Sequence, residues 1–356
     1  MKSSYITLIS IVVLAACSPL EQEEQSLSAT IQGEAQGTTY TITTVGDSMN
    51  YKPGIDSLLS AFDQDVSLWV EGSLINRINN FQREDTVFSF YDSSKVFSVL
   101  FDLSHEIYTI TEGAFDPTVY PLVEAWGFGL KNKQSMTQEK VDSLLYYVGF
   151  EPYRIDMNEI EKGYIYEHTD IRIGRAGTRL DFNAIAQGYS VDLIADYLLQ
   201  NGVTDFMVEL GGELKCRGLN PQGKAWRIAV DKPVDNEAER VFQAIITVED
   251  KAVATSGNYR KFYEEEGVVY SHTIDPRTGF PVQHSLLSAT VLANECSTAD
   301  AYATAFMVMG VEATAQFLAA HPELNLEVYL LFHDGEKIEA VISEGLRKKI
   351  EELDEE

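Results

Sequence analysis

The segment YSHTIDPRTGFPV, residues 270–282, places a histidine, an aspartate and an arginine within six positions. His272 is a candidate general base, because a neutral imidazole can take a proton from an attacking hydroxyl near neutral pH. Asp275 is a candidate to orient that imidazole or to bind a metal ion. The alternative is structural, since the five residues from Asp275 to Gly279 also match a plain β-turn. That alternative leaves His272 unexplained.

The segment STADAYATAFMVMG, residues 297–310, carries Asp300 and Thr304 four positions apart. This spacing places both on one face of a predicted helix that is otherwise apolar. A buried carboxylate and hydroxyl need a partner, and a hard cation such as Mg²⁺ prefers oxygen ligands of this kind. The alternative is that Ser297 or Thr298 caps the helix while Asp300 complements its first turn.

Four more segments combine glycines with polar or aromatic side chains, and each has a structural alternative. In residues 113–129, Asp116 stands beside a proline, but the aromatic residues there also suit simple core packing. Asp181 precedes a predicted helix, where it either receives a ligand hydroxyl or caps the helix. The glycine pair within 208–218 and the SGNYRK segment at 256–261 suit a flat ligand and a phosphate, or a hairpin turn and solvated cations.

The intervening pattern predicts the elements that position these residues. Helical spacing of apolar residues predicts helices over residues 54–69, 92–111, 139–150, 185–203 and about 297–309. Asp92 or Ser93 is predicted to open the second helix. Strands are predicted at 38–45, within 204–218 on either side of the glycine pair, at 226–233, over 242–257 and at 286–296. This mixture predicts an α+β fold with mixed, largely antiparallel sheets and packed helices.

The chain has 356 residues, 45% hydrophobic, which is enough for a substantial core. Its 27 basic and 55 acidic side chains give a net charge of −28. Such a surface repels nucleic acid and anionic membranes, so direct nucleic-acid binding is not expected. A phosphate-bearing substrate must therefore be received locally, by main-chain amides, a helix N-terminus, an arginine or a metal ion.

The N-terminal sequence MKSSYITLISIVVLAAC is typical of a secretory signal that is too short for a lasting membrane span. Its end, Leu-Ala-Ala-Cys, is similar to a bacterial lipobox, which makes Cys17 the predicted lipidated residue. The alternative is an ordinary signal peptide with a chance cysteine. We predict a lipoprotein signal at 1–16, an acidic tether at 17–30, a folded domain at 31–345 and a charged tail at 346–356. The remaining cysteines, Cys216 and Cys296, are expected to be buried free thiols.

The order of these motifs resembles the ApbE family of FAD:protein FMN transferases. The motifs that carry the resemblance are GTTYTI, SLWVEGSLINRIN, GAFDPTV, LDFNAIAQGYSVD, ELGGEL, TSGNYR, SHTIDPRTGFPV and STADAYATAFMVMG, and they run from about Gly37 to Gly310. The resemblance implies one large ApbE-like, T-fold-like domain. Similar proteins are periplasmic lipoproteins, which implies a cell-envelope location with a lipid anchor in the inner or outer membrane.

The resemblance also implies a reaction, in which FMN passes from FAD to a Thr or Ser hydroxyl of a target protein and AMP is released. It implies Mg²⁺ as cofactor and, as acceptor, a subunit of a membrane electron-transport complex. The metal would be held by Asp300, Thr304 and the main-chain carbonyl of Ala184. The implied FAD contacts are Gln36, Trp69, Ala114, Phe115, Asp116, Asp181, Gln187 and Ile274.

This chain departs from the family pattern at four positions. Gln36 replaces a frequent methionine, and Trp69 replaces a usual tyrosine but keeps a face for stacking. Gln187 stands where relatives carry lysine or glutamate. Ala303 stands where some relatives have a further aspartate near the metal.

Two other functions use the same residues. A Mg²⁺-dependent FAD pyrophosphatase would use water in place of the acceptor hydroxyl and give FMN and AMP. A flavin-binding lipoprotein without chemistry would store FAD, although storage alone does not require His272 as a base.

Overall fold

The strands and helices predicted from the periodicity assemble around one long antiparallel sheet. A computed structural model of the chain describes residues 27–353 except 82, 84, 130–133, 151–152, 157–167, 234–240, 259–261, 266–267 and 272, with backbone only at 153–156, 168, 262–265 and 268–271. Signal residues 1–16 and Cys17 therefore lie outside the described residues, as does His272.

The helices are α1 (Lys52–Val66), α2 (Leu74–Asn79), α3 (Val96–Ile110), α4 (Tyr120–Ala125), α5 (Gln138–Leu145), α6 (Ala186–Gln200) and α7 (Cys296–Ala320), with a 3₁₀ turn at Pro322–Leu324. The strands are β1 (Ser28–Ala35), β2 (Thr38–Val45), β3 (Thr86–Tyr91), β4 (Tyr153–Asp156), β5 (His168–Ile173), β6 (Asp205–Leu210), β7 (Glu213–Arg217), β8 (Trp226–Asp231), β9 (Phe242–Val248), β10 (Ala252–Gly257), β11 (Phe262–Glu265), β12 (Val268–Ser271), β13 (Leu286–Ala293), β14 (Glu327–His333), β15 (Ile338–Ile342) and β16 (Ile350–Glu352).

The main sheet has the strand order β1-β2-β6-β7-β10-β13-β14-β15, and every neighbouring pair is antiparallel. Its two faces bury different clusters because side chains alternate along each strand. Phe206 and Val208 pack with α6 on one face, while Cys216 packs with Trp226 and Ile246 on the other. Two three-stranded sheets, β16-β9-β8 and β3-β5-β4, and the hairpin β11-β12 complete the architecture. The predicted α+β class with largely antiparallel sheets is confirmed.

Helix α7 is the apolar helix that crosses the core. Most of its first half is buried, as the alanines of its sequence allow, and it contacts β10, β13 and α6. Gly310 interrupts it with φ 78° and ψ 178°, a conformation that favours glycine. The predicted helix at 297–309 is therefore confirmed, and a second helical segment continues from the break to Ala320. By length and composition alone α7 would also pass for a membrane span, but its packing is that of a core helix.

The N-terminus of α7 is capped by a carboxylate from another helix. Asp192 of α6 accepts hydrogen bonds from the amides of Cys296 (2.8 Å) and Ser297 (2.9 Å) and from the Ser297 hydroxyl (2.8 Å). It also pairs with the Lys215 ammonium at 3.0 Å. The alternative that Ser297 or Thr298 caps α7 is wrong, because the N-cap position, Glu295, makes no side-chain cap and Asp192 takes that role.

The start of α3 also differs from the prediction. The N-cap is Lys95, in the left-handed conformation, rather than Asp92 or Ser93. Asp92 still stabilises the first turn, since its carboxylate accepts a hydrogen bond from the amide of Ser98 at 3.0 Å. Asp92 lies before the N-cap and can still accept this hydrogen bond because the chain turns tightly at Lys95.

The predicted charged tail at 346–356 is wrong for residues up to 352. Leu346 is fully buried, and Ile350–Glu352 form β16, which pairs with β9. Leu346 and Ile350 pack into the cluster that holds Trp226. Burial of these apolar side chains orders the segment although the residues between them are charged. At the other end, β1 begins at Ser28, three residues inside the predicted tether. Cys216 and Cys296 are buried and free, as predicted.

We expect Asp192→Asn to lower the free energy of unfolding by about 3 kcal/mol, because the amide cannot accept all of these bonds and leaves the half-buried lysine poorly compensated. Urea unfolding followed by circular dichroism measures the loss. Asp196→Asn is the matched control, since Asp196 lies one turn further along α6 and is exposed. Equal stability of the two variants would show that the contact between the helices does not depend on this cap.

Candidate active site

The first turns of α6 and α7 lie in close contact at Gly188. A Cβ atom at this glycine would stand 2.5 Å from the carbonyl oxygen of Cys296 and 2.8 Å from Cβ of Asp300. Only a residue without a side chain fits there. The amide of Gly188 donates to Oδ2 of Asp300 at 3.1 Å. Asp300 therefore caps α6 while Asp192 of α6 caps α7.

Asp300 is a buried acid, 6% exposed, and burial raises its pKa. The hydrogen bond from Gly188 acts in the opposite direction, and the charge of Asp192 raises the pKa further. Among the residues that the structure describes, no basic side chain forms an ion pair with Asp300. A positive partner from outside the described polypeptide would stabilise its carboxylate.

Thr304 continues the polar face one helical turn beyond Asp300. Its hydroxyl lies 3.2 Å from the hydroxyl of Ser256, near the end of β10, so the TSG motif and the α7 motif meet here. Ala184 lies in the turn that leads into α6, and its side chain packs against the core. These residues supply only oxygen donors, which fits a hard cation such as Mg²⁺. The described residues contain no group of three or more His, Cys, Asp or Glu that could hold a metal.

The hairpin between β1 and β2 reaches the same helix end. Gln36 and Gly37 form its two-residue turn with φ 52° and 74°, as a type I′ turn requires. The Gln36 amide donates to the Ser190 hydroxyl at 2.5 Å, while its Oε1 is buried without a hydrogen-bond partner. A cavity of about 540 Å³ is lined by residues 34–39 at this turn. The side-chain amide of Gln187 packs over Gly211, where a Cβ would approach within 2.8 Å.

Asp116 and Asp181 lie on two loops that are joined through the backbone. The amide of Asp181 donates to the carbonyl of Pro117 at 2.7 Å. Asp116 accepts hydrogen bonds from the amide and hydroxyl of Thr118. Asp181 accepts one from the amide of Asn183, so it stabilises a turn and does not cap α6. Burial raises the pKa of each acid to about 6.

Asn79 holds the Asp181 loop in place and was not singled out from the sequence. Its side-chain amide donates to the carbonyl of Leu180 at 2.8 Å, and its oxygen accepts from the amide of Leu180 at 2.7 Å. The two residues are 101 positions apart, so no local pattern indicates the contact. This buried pair fixes the residue that precedes Asp181.

Four predicted contact residues differ sharply in exposure. Ala114, Phe115 and Ile274 are 1%, 2% and 5% exposed, so very little of their surface, side chain or backbone, is open in this structure. Trp69 is 73% exposed, on a turn whose carbonyls at Leu68 and Val70 accept from Asn76 at 3.0 and 2.9 Å. No contact among the described residues joins Trp69 to the other candidates.

The HTIDPRTG segment forms a turn from Thr273 onward. The guanidinium of Arg277 binds both carboxylate oxygens of Asp275, at 2.9 Å each, and Ile274 pairs with Pro281. Asp275 is thus engaged within the turn. The turn lies beside the Asp116 loop, since Cγ of Arg277 is 3.7 Å from the position of a Cβ on Gly113.

Comparison with known proteins identifies the family. The model of the ApbE family matches residues 36–330. The chain belongs to the ApbE family. It is 37% identical to the FAD:protein FMN transferase of Vibrio cholerae serotype O1 over 321 residues, 88% of this chain and 89% of that one. It is 32% identical to the Haemophilus influenzae protein of the same name over 358 residues, 98% of each chain.

Solved structures of ApbE proteins share the fold. The flavin transferase ApbE from Vibrio cholerae superposes with a TM-score of 0.77 at 32% identity, covering 91% of this chain and 99% of that one. The apo flavinyl transferase ApbE of Pseudomonas stutzeri gives a TM-score of 0.77 at 28% identity, covering 91% and 97%. The predicted ApbE-like fold is confirmed.

The raised pKa of Asp116 predicts a pH-dependent stability. An acid whose pKa is higher in the folded than in the unfolded state destabilises the fold once it is ionised. The free energy of unfolding of the parent therefore falls as the pH rises from about 4 to about 6. We expect Asp116→Asn to be more stable than the parent by roughly 3 kcal/mol at pH 8 and by less than about 1 kcal/mol at pH 4. The asparagine oxygen still accepts both Thr118 donors. Urea unfolding without ligand at several pH values measures the difference.

Asp205→Asn is the control with the opposite sign. Hydrogen bonds from the Leu219 amide and the Thr204 hydroxyl lower the pKa of Asp205. This variant should be less stable than the parent at pH 8, and the deficit should vanish as the pH falls. An advantage of Asp116→Asn that does not change with pH would contradict burial as its cause.

Proposed function

We propose that this protein transfers FMN from FAD to a Thr or Ser hydroxyl of an acceptor protein and releases AMP, with Mg²⁺ as cofactor. The main support is that an ApbE match spanning most of the chain coincides with an acid and a hydroxyl one turn apart on α7, Asp300 and Thr304, of which Asp300 contacts the first turn of α6. The relatives carry the transferase name at up to 37% identity. The acceptor class that fits this activity is a subunit of a membrane electron-transport complex.

The oxygen donors would hold the cation. Asp300 supplies the charge, Thr304 its hydroxyl, and Ala184 its main-chain carbonyl. When bound, Mg²⁺ neutralises phosphoryl oxygens and stabilises the leaving group. The cation would also compensate the charge of Asp300, which is unfavourable to ionise in the core. With that cation in place, a chain with a net charge of −28 can receive an anionic dinucleotide.

His272 is the proposed general base. It takes the proton from the acceptor hydroxyl as the oxygen attacks the phosphorus of the FMN half of FAD. A new phosphorus–oxygen bond to the acceptor forms, and the bond to the bridging oxygen breaks, so AMP leaves with that oxygen. In the turn that follows along the chain, Asp275 and Arg277 pair with each other.

The remaining candidates would bind FAD. The exposed ring of Trp69 offers a stacking face, and Gln36 and Gln187 offer amides beside the first turn of α6. Asp116 and Asp181 are acids that burial favours in the protonated form, in which a carboxyl can donate a hydrogen bond. Ala114, Phe115 and Ile274 are the remaining proposed contacts.

The transfer assay tests this proposal. FAD and Mg²⁺ are incubated with the protein and a candidate acceptor, and covalent flavin is detected as fluorescence on a denaturing gel. We expect His272→Ala to lower the transfer rate by at least about 100-fold while FAD still binds, because the base is lost but the binding residues remain. Asp300→Ala should remove the dependence on Mg²⁺ together with the transfer.

His333→Ala is the matched control, because His333 is exposed at the end of β14, and it should transfer FMN at the parental rate. Unchanged transfer by His272→Ala would exclude the base assignment. AMP release without acceptor and without labelled protein would instead identify a pyrophosphatase. Bound FAD with neither product would identify a carrier.

We also propose that the protein is anchored by a lipid on Cys17 and faces the periplasm of a bacterial cell envelope. The support is the signal sequence and its Leu-Ala-Ala-Cys end. Expressed in a bacterial host, the parent should sediment with membranes and Cys17→Ala should not, because the thiol that carries the lipid is missing. Ser18→Ala is the control and should remain with the membranes. Membrane retention of Cys17→Ala would exclude the anchor.

A further inference from the structure

One buried carboxylate beside the candidate metal site has no role so far. Glu213 follows the Gly211–Gly212 turn as the first residue of β7 and is only 8% exposed. Its Oε2 atom is buried and has no hydrogen-bond partner. A buried carboxylate oxygen without a donor is strongly unfavourable. This oxygen therefore indicates a group that the polypeptide does not supply.

The start of β7 lies against the first turns of α6 and α7, because the Gln187 amide packs over Gly211 and the Cys296 thiol donates to the carbonyl of Leu214 at 3.5 Å. Burial raises the pKa of Glu213 well above its usual range, and the negative charge of Asp300 raises it further. The two carboxylates are thus close enough to repel each other. Their mutual repulsion is relieved by a cation between them or beside them.

The nearest lysine along the strand does not neutralise this pair. Lys215 is two residues further along β7, where side chains point to the same face. Its ammonium binds Asp192 and Glu295. Among the described residues no basic side chain forms an ion pair with Glu213 or Asp300, so these acids favour either the protonated form or a cation supplied by a ligand.

The chemistry of Mg²⁺ suggests how Glu213 takes part. This ion keeps several of its waters when it binds to proteins. Asp300, Thr304 and the Ala184 carbonyl leave coordination positions for water and phosphate oxygens. An ionised carboxylate only accepts hydrogen bonds, so it repels phosphate but binds metal-bound water, whose protons are strong donors. Such outer partners fix the position of a metal and its waters.

We propose that Glu213 is a positioning residue of the metal site and accepts a hydrogen bond from a water on the cation that Asp300 and Thr304 hold. This inference rests on the proposed Mg²⁺ site. It assigns to the first residue after the glycine pair a task that the glycines alone do not explain. Gly211 and Gly212, with φ 68° and 114°, form the tight turn from which the strand starts.

The test measures metal affinity in the absence of FAD. Mn²⁺, a spectroscopic substitute for Mg²⁺, is titrated into the purified full-length chain and free Mn²⁺ is followed by electron paramagnetic resonance. We expect Glu213→Gln to raise the Kd for Mn²⁺ by about 10- to 100-fold, and Mg²⁺ competition to show the same change. Glu213→Asp, which keeps the charge, should retain more affinity than Glu213→Gln.

Glu327→Gln is the matched control. Glu327 also begins a strand and has a buried Oε2 without a hydrogen-bond partner. It lies on β14, however, and its other oxygen, Oε1, pairs with Lys349. This variant should bind Mn²⁺ like the parent. The thermal midpoint of Glu213→Gln without metal should equal or exceed that of the parent, because an unpaired buried charge is removed, whereas a purely structural role would lower it.

The outcomes separate this inference from the proposed function. Parental Mn²⁺ affinity in both Glu213 variants would overturn the role of Glu213, while a loss of binding in Asp300→Ala in the same experiment would leave the proposed metal site standing. If the parent does not bind Mn²⁺, both the role of Glu213 and the proposed Mg²⁺ dependence are overturned.

Discussion

The structure depends on an exchange of helix caps between α6 and α7. Asp192 of α6 accepts the first amides of α7, and Asp300 of α7 accepts the amide of Gly188 in α6. Free amides at a helix N-terminus require acceptors, and here each helix provides them for the other. The absence of a side chain at Gly188 allows the close approach. The same contact holds Asp300 at the site, so one interaction stabilises the fold and places the candidate metal ligand.

Burial gives the acids of this site their chemical character. Asp116, Asp181, Glu213 and Asp300 all have raised pKa values, with burial as the largest cause. By contrast, the buried Asp192 is surrounded by donors and by Lys215, and it acts as a structural acid. Carboxylates without such partners favour protonation or a bound cation. Asp192 differs from these acids in that it receives three hydrogen bonds and also pairs with a lysine.

The sites proposed for FAD are built from contacts between distant segments. The Asp181 loop binds the Asp116 loop through Pro117, and Asn79 holds it from α2. The hairpin turn at Gln36 is joined to α6 through Ser190. Membership of the ApbE family accounts for the combination of these segments in one domain.

The sequence by itself determined the α+β class, the main helices, the family and the polar face of Asp300 and Thr304, because periodicity and motif order are local properties of the chain. It failed where a contact joins distant positions: the cap of α7 by Asp192, the hold of Asn79 on Leu180, and the unpartnered Glu213. It also failed at the C-terminus, where Leu346 and Ile350 find a core that composition does not reveal. Partners and desolvation arise only when the chain folds, so the tertiary structure alone decided which acids are structural and which are poised for a ligand.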